Sequence, residues 1–590
     1  MSGKKYQNFG DDANIEEQEE QHSHEQPSIS DGPTLNSIPH AKVVPGLLCG
    51  IFKKPRWCQD GFKVLIVIAV VFSTIIGLTL IIDISLRKTH KPLQVVTDHP
   101  ECTSLVRELM DTTDSNAVDG AVAGMFCLAI TRPDLTSLAS GGFMIYHSED
   151  KSSGLDFQME APGDKTIISP VALPGLVEGL LKTHQLHGST KLARLLESCI
   201  TLAKNGFKVY KKTVEGEFGF FEKNMQIMLS KHGNGIVPLQ EGDILRLPEV
   251  SKLLYQISRG NLKPYQDDII EKVKDLGWTS EMFKSYQSKE LALLKTSLKN
   301  GVTLLTLPPP SSGIVSLLAT KYLDYLLPET STPLDKYFTI AETLKSTFEN
   351  QSRLLDEPSN LHEKIAELLQ KDDIDGVVKS IKSTVDNKIP RQTATGKTPA
   401  HPKLDVKSAN VLVIDHNNQV AAISSSLGHS FGNKQMTKSG VVLNNGMKLF
   451  PSSWKISESN RRPPSSAALC IAVKKGQDSE ESEDWRAVFG SNGGLKGLAA
   501  LTQVMTDVFV SGMDVSKSTL DKARLFYDII SGDLYYEGSK GSSGKIQKQA
   551  SELSKYFGPA VKEMSEPLGY VSMASKGERK GKSLVDPRSN

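Results

Sequence analysis

Nineteen consecutive residues without a charge, VLIVIAVVFSTIIGLTLII, run from Val64 to Ile82. No other stretch of the chain limits its own conformation so strongly. Inside a bilayer a lone segment satisfies its backbone only as a helix. At about 1.5 Å per residue this run spans about 28 Å, close to the hydrocarbon core of a membrane. The competing reading is a buried core helix, but such helices seldom stay apolar on every face for so long. A cleaved signal peptide does not fit, because more than 60 residues precede the run. We therefore expect a transmembrane helix over residues 64–86. A polar tail over residues 1–60 would precede it, disordered and cytoplasmic. Lys53, Lys54, Arg56 and Lys63 flank one side of the run, and Arg87, Lys88 and Lys91 the other. That small excess favours a type II arrangement, with the bulk lumenal or extracellular and the lipid bilayer as a partner.

The remaining chain is long. Its 590 residues suggest about three or four units by length alone, although one large sheet-and-helix domain can exceed that prior. Lys and Arg number 69 against 68 Asp and Glu, so no global field points to nucleic acid. The 46 glycines suit an α/β protein with tight turns. No pair among the six cysteines has metal-ligand spacing, and we expect neither a metal site nor a cofactor. Cys127, in the apolar run VAGMFCLAI, reads as a core residue rather than a disulfide partner. Cys49 and Cys58 beside the apolar run are candidates for palmitoylation. Asn350-Gln351-Ser352 is a glycosylation sequon.

Along the chain, HPECTSLVRELMDTTDSNAVDG opens a helical region in which Ser115 is placed to cap. SGGFMIYHSEDKSSGLDFQM reads as two strands around a charged turn. LPGLVEGLLKTHQLHG and LARLLESCITLAKNG read as helices closed by glycine. Residues 210–383 read as helices joined by short loops. Residues 386–406 are polar with prolines, a linker or exposed loop. A second strand-rich region then runs through KSGVVLNNGM, AALCIAVKK and WRAVFGSNGG, with GQDSEESED as an acidic loop. LKGLAALTQVMTDVFVSGM is an amphipathic helix, and the final 15 or so residues read as frayed.

The strand-rich region begins with KSANVLVIDHNNQVAAISSS, Lys407–Ser426: a strand, a turn and a second strand. It starts on a small hydroxyl residue, Ser408. On spacing alone Ser408 is an ordinary linker serine, with no G-x-S-x-G elbow and no triad.

A wider pattern changes its meaning. SNAVDGAVAGMFCLAITRPDLTSLASGGFMIYH, LPGLVEGL, LAKNGF, the hairpin after Ser408, SGVVLNNGM, PPSS and GSNGG stand in the order found in the gamma-glutamyltransferase (glutathione hydrolase) family. The chain from about Val95 onward resembles that family. GLAALTQVMTDVF and the terminal VDPRS are similar to its glutathione hydrolase 7 subgroup. The resemblance implies a four-layer αββα sandwich of the N-terminal-nucleophile type. It divides the domain into a large-subunit-like region, 95–407, and a small-subunit-like region, 408–590. Self-cleavage before the nucleophile would leave a heterodimer of the two. It also implies action on glutathione or another γ-glutamyl compound.

On the matching positions, Ser408 replaces the family's nucleophilic threonine. Serine keeps the hydroxyl and loses the methyl that fixes its rotamer. Ser426 matches a second threonine beside the nucleophile. Ser465 and Ser466 match a serine pair that holds the substrate carboxylate, and Gly493 and Gly494 match the glycines of the oxyanion hole. The glutamate pocket departs from the pattern. Gln158 replaces the arginine that grips the α-carboxylate. Gly446, Lys448 and Leu449 fall where acidic residues hold the α-amino group, and Gly428 replaces a helping asparagine. Three readings follow: a glutathione hydrolase or transferase using Ser408, a pseudoenzyme acting as a membrane interaction protein, and an enzyme of altered acyl specificity in which Lys448 meets an acidic substrate group.

Overall fold

The structure is a computed structural model. It describes residues 61–89, 92–162, 169–214, 225, 228–232, 235–356, 361–387, 406–451, 461–475, 484–516, 522–538, 543–557, 561–577 and 581–586. The N-terminal tail with Cys49 and Cys58, most of the linker before Val406 and most of the acidic loop lie outside the described residues. Two units are distinguished, Met1–Arg87 and Lys88–Asn590.

The first unit holds all but the last two residues of helix α1 (Gly61–Thr89). Its apolar side chains, among them Leu65, Phe72 and Leu78, are exposed. A helix thus forms where the apolar run predicts one. Among the described residues, however, no helix is long and apolar enough to cross a membrane, so the expected transmembrane span is not established.

In the second unit, two six-stranded sheets lie face to face. Strands β1 (Gln94–Thr97), β2 (Gly141–His147), β3 (Ser152–Phe157) and β4 (Lys289–Leu291) precede β5 (Leu294–Ser297) and β6 (Thr303–Thr306). After them come β7 (Lys407–Ile414), β8 (Val420–Gly428), β9 (Leu469–Lys474), β10 (Trp485–Asn492), β11 (Tyr570–Lys576) and β12 (Gly581–Leu584). The first sheet has the order β1-β7-β8-β2-β3-β4 and the second β12-β11-β10-β9-β6-β5. Every neighbouring pair in both is antiparallel.

The period-two geometry of a strand sorts the central residues between layers. On β7, Val411 and Val413 join the core beneath the helices, while Leu412 and Ile414 join the core between the sheets. On β8, Ala421 and Ile423 take the first side, Val420 and Ala422 the second. Both faces are buried, which is why these strands read as continuous apolar runs. Helices α2 (Pro100–Thr112), α3 (Ala117–Thr131), α4 (Leu176–His187), α5 (Leu192–Asn205) and α6 (Pro248–Ser258) share a core with the outer face of the first sheet. Helices α7 (Gly313–Leu326), α8 (Pro333–Asp356) and α9 (Gly494–Phe509) share one with the outer face of the second. The result is the expected αββα layering.

Several local expectations are corrected. Cys127 is buried as expected but bonded to Cys102, because facing positions of α2 and α3 bring the sulfurs together. The cap of α3 is Asn116, not Ser115: Asn116 and Asp119 form a reciprocal capping box. Ser115 instead contacts the Thr113 and Thr190 hydroxyls. Residues 210–383 include strands β4, β5 and β6 as well as helices. SGVVLNN is held by isolated bridges, Ala139 with Leu443 and Met436 with Val442, rather than by a strand. The C-terminal stretch is not frayed at Gly581–Leu584, which forms β12.

Candidate active site

The β7–β8 hairpin places Ser408 at a join between the two sheets. Ser408 is buried near the start of β7. Its amide donates to Asn492 Oδ1 at 3.1 Å and its Oγ donates to the Ser491 carbonyl at 3.2 Å. Asn410 Nδ2 donates to that same carbonyl. The end of β10, in the second sheet, therefore clamps the start of β7, in the first. On the other side, Ser426 Oγ donates to the Lys407 carbonyl at 2.6 Å. The β7–β8 register shifts between Lys407 and Ala409, so the ladder is interrupted at Ser408. The carbonyl, amide and hydroxyl around the Lys407–Ser408 bond each have a partner outside the regular ladder. Sequence reasoning missed Asn492 and Asn410, since no pattern along the chain marks a contact made across the sandwich.

Two residues past Ser491 the chain turns into α9 through consecutive glycines with positive φ, Gly493 at 104° and Gly494 at 67°. Only glycine adopts such a pair readily, and a Cβ on Gly493 would lie 3.1 Å from Gly569 Cα. The first amides of a helix lack intrahelical acceptors, so this turn offers donors beside Ser408.

The pocket positions come from three further segments. Gln158 is buried just after β3, and its Oε1 accepts from the Met159 amide at 3.0 Å. Its carbonyl accepts from Tyr286 OH. Ser465 and Ser466 are buried in the approach to β9. Ser465 Oγ accepts from the Ala467 amide, and the Ser465 amide donates to the Pro310 carbonyl. Arg462, which sequence reasoning passed over, joins the Gln158 and Ser465 segments. Its guanidinium meets Asp156 Oδ2 at 3.0 Å and Glu160 Oε2 at 3.2 Å, and lies over the Tyr286 ring. Burial lifts the Glu160 carboxyl above its ordinary range, against the pull of the Arg462 charge.

The third segment is Asn444–Leu449. Asn444 is buried and donates to the Ala139 and Ala172 carbonyls. Asn445 Oδ1 accepts from the His429 amide and lies 2.0 Å from where a Cβ on Gly428 would be. Asn445 Oδ1 thus occupies the space that a side chain at position 428 would need. Lys448, the candidate partner of an acidic substrate group, is exposed, while the single 3-10 turn Gly446–Leu449 carries Leu449 inward. The sequon residue Asn350 lies half-buried on α8, away from these segments in sequence.

A cleft of about 460 Å³ adjoins the same bond, lined by Thr97, His99, Arg132, Tyr210, Lys407 and Asn492 among others. His99 is buried against Tyr210, and neither ring nitrogen has a hydrogen-bond partner among the described residues. Burial, reinforced by the Arg132 charge, lowers its pKa from 6.5 to about 4. Between those values the unfolded chain binds a proton that the folded chain refuses, so acidification favours unfolding. Stability should fall by about 3 kcal/mol as pH drops through that window and level off below it. Denaturant melts of the wild type and of His99→Phe at both ends of the window would check this. The variant should lose that part of the slope.

The family model described as gamma-glutamyltranspeptidase matches residues 102–590. The chain is 27% identical over 521 residues to glutathione hydrolase 7 of Rattus norvegicus, covering 81% of this chain and 76% of that protein. It is 26% identical over 524 residues to the glutathione hydrolase proenzyme of Escherichia coli (strain K12), covering 80% and 87%. Among solved structures, the cephalosporin acylase from Bacillus halodurans shares the fold with a TM-score of 0.69 at 17% identity, over 85% of this chain and 95% of that one. The match covers well over half of the chain, including Ser408 and the Gly493–Gly494 turn, and the chain belongs to the gamma-glutamyltranspeptidase family.

Proposed function

We propose that this protein is a self-cleaving hydrolase or transferase of amide-linked acyl groups that uses the Ser408 hydroxyl and is held on a membrane by α1. The observation that carries this reading is the hold on the Lys407–Ser408 bond: Ser426 Oγ on the carbonyl, Asn492 Oδ1 on the amide, and the hydroxyl buried beside them. Ser408 Oγ attacks the Lys407 carbonyl carbon, the C–N bond breaks, and an ester links the two segments. Water then splits the ester, leaving a carboxylate on Lys407 and a free amine on Ser408. In later turnovers that amine takes the Oγ proton as Oγ attacks a substrate carbonyl. The amides at Gly493 and Gly494 supply donors for the oxyanion.

The names of the relatives make glutathione the first substrate to try. A second reading, a pseudoenzyme, is favoured by the pocket: Gln158 Oε1 is turned onto Met159 and Lys448 is exposed. The two readings separate on one measurement. Purified wild-type protein should resolve into two fragments on a denaturing gel, the smaller beginning at Ser408. Ser408→Thr should keep the cut and Ser408→Ala should abolish it. A single intact chain in all three would establish the pseudoenzyme.

The membrane reading rests on the charge-free run and the exposed apolar side chains of α1. The Cys102–Cys127 disulfide supports a lumenal or extracellular bulk, since such bonds persist in oxidising compartments. In sealed microsomes of the endoplasmic reticulum, whose interior corresponds to the lumenal or extracellular side, residues 88–590 should resist added protease until detergent is present. Digestion without detergent would reverse the orientation.

A further inference from the structure

The segment ahead of the Lys407–Ser408 bond already occupies the pocket beside it. Val406 is buried, and its side chain lies in a small apolar cluster with Met159, Ala172 and Leu449, with Met447 packed against them. Met159 follows Gln158, and Leu449 stands at a position where the resemblance expects a carboxylate. The place that would seat the charged head of a γ-glutamyl group is therefore filled by the isopropyl group of the chain's own valine.

The reach is informative. Lys407 carbonyl carbon is the atom Ser408 Oγ would attack, and Ser426 holds its oxygen. From that carbon the chain passes through Lys407 Cα, Lys407 N, Val406 C and Val406 Cα to Val406 Cβ. An acyl group whose carbonyl takes the place of Lys407 reaches the cluster with about its sixth carbon. The ammonium and carboxylate of a γ-glutamyl group branch from the fourth carbon and enter the same cluster.

Among the described residues flanking the cluster, Gln158, Asn444, Gly446 and Lys448 offer those charges no partner, which leaves only the Ser465–Ser466 pair of the resemblance to meet a carboxylate. Gln158 Oε1 accepts from the Met159 amide, and Asn444 is bonded to Ala139 and Ala172. Gly446 has no room for an acidic side chain: its Cβ would lie 2.8 Å from Ala172 Cβ and 3.0 Å from Met159 Sδ. Lys448 is exposed. Burying a charged head among methyl and thioether groups is strongly unfavourable, whereas an alkyl chain gains from it.

We infer that the acyl pocket takes an uncharged aliphatic acyl group of about six carbons, and that Val406 fills it until the cut vacates it. The inference rests on Ser408 being the nucleophile. Ser408 Oγ bonds to the acyl carbon and its proton passes to the Ser408 amine. The amide C–N bond breaks and the leaving amine takes that proton. Water then hydrolyses the acyl ester to a free carboxylic acid and restores the hydroxyl.

The test gives cut wild-type protein hexanoyl-p-nitroanilide and γ-glutamyl-p-nitroanilide in parallel. Hexanoyl turnover should exceed γ-glutamyl turnover by about tenfold or more in kcat/KM. Cut protein that prefers the γ-glutamyl compound, or releases neither, overturns the aliphatic pocket while leaving the nucleophile standing. A chain that is never cut removes the nucleophile, and the acyl inference falls with it. The uncut Ser408→Ala protein reads the pocket without chemistry. There Val406→Asp should lower the melting temperature clearly more than Val406→Thr. Equal melting of both variants and the parent would show that Val406 is not packed in the pocket, which also overturns the inference.

Discussion

Arg462→Met should destabilise the folded protein by about 3–5 kcal/mol. The arginine is buried between Asp156 and Glu160, and its side chain also donates to the Asp156 and Gln287 carbonyls. Removing it leaves two buried carboxylates without their cation and two carbonyls without their donor. Glu160, already raised by burial, should then rise further, because the charge that draws it down is gone. Arg462→Lys should recover only part of the loss, since an ammonium cannot reproduce the forked geometry. Adding Asp156→Asn and Glu160→Gln to Arg462→Met should restore stability, because the uncompensated charges are what hurt. Urea unfolding at neutral pH measures all of these. A loss below about 1 kcal/mol for Arg462→Met would place the pair among weak surface bridges and overturn this account.

Asp586→Ala should be comparably damaging, by about 3–5 kcal/mol, although only four residues follow it in the sequence. Asp586 is fully buried. Its Oδ2 accepts from Arg524 at 2.6 Å and from the Val571 amide at 3.2 Å, while Arg524 also donates to the Gly569 carbonyl. The aspartate thus anchors β11 and the chain after β12 to the segment leading into Leu525. Gly569 packs against α9, with its Cβ position 2.6 Å from Gly497 Cα, so the loss would be felt behind the Gly493 turn. The double variant Arg524→Met, Asp586→Ala should be more stable than Asp586→Ala alone, because no buried charge is stranded. Equal stability of the single variant and the wild type would mean that the terminal segment is dispensable.

Much of the architecture could be read from local pattern, and the exceptions have physical causes. The strands of the Lys407–Ser426 hairpin and of Gly141–Phe157 announce themselves by apolar runs bounded by turns. The helices Leu176–His187 and Leu192–Asn205 do so by periodicity and a closing glycine. β5 and β6 are four residues each and sit in a largely helical stretch. Such short apolar runs carry no period that separates strand from helix, so only the pairing of β6 with β9 and of β5 with β6 defines them. Gly581–Leu584 was hidden by its polar composition, because its strand state depends on β11 and on buried Asp586. Within the site, Ser408 stands out only through the family resemblance, and the departure from the family pattern was visible in Gln158 and Leu449. The apolar cluster around Leu449 was not visible. The apolar cluster joins residues from four separate segments, and Asn492 reaches Ser408 across 84 positions of sequence.

The sheet order has a consequence for what happens after a cut at Lys407. In the first sheet, β1 and β2 from the leading piece grip β7 and β8 of the trailing piece from both sides. In the second, β6 of the leading piece is zipped to β9 of the trailing one. Breaking one peptide bond would leave two polypeptides that cannot part without tearing open both sheets. Neither could be traded for a fresh copy, and each made alone would present raw strand edges with nothing to pair. Nicked molecules would travel, age and be degraded as single particles, their history readable only once they are denatured.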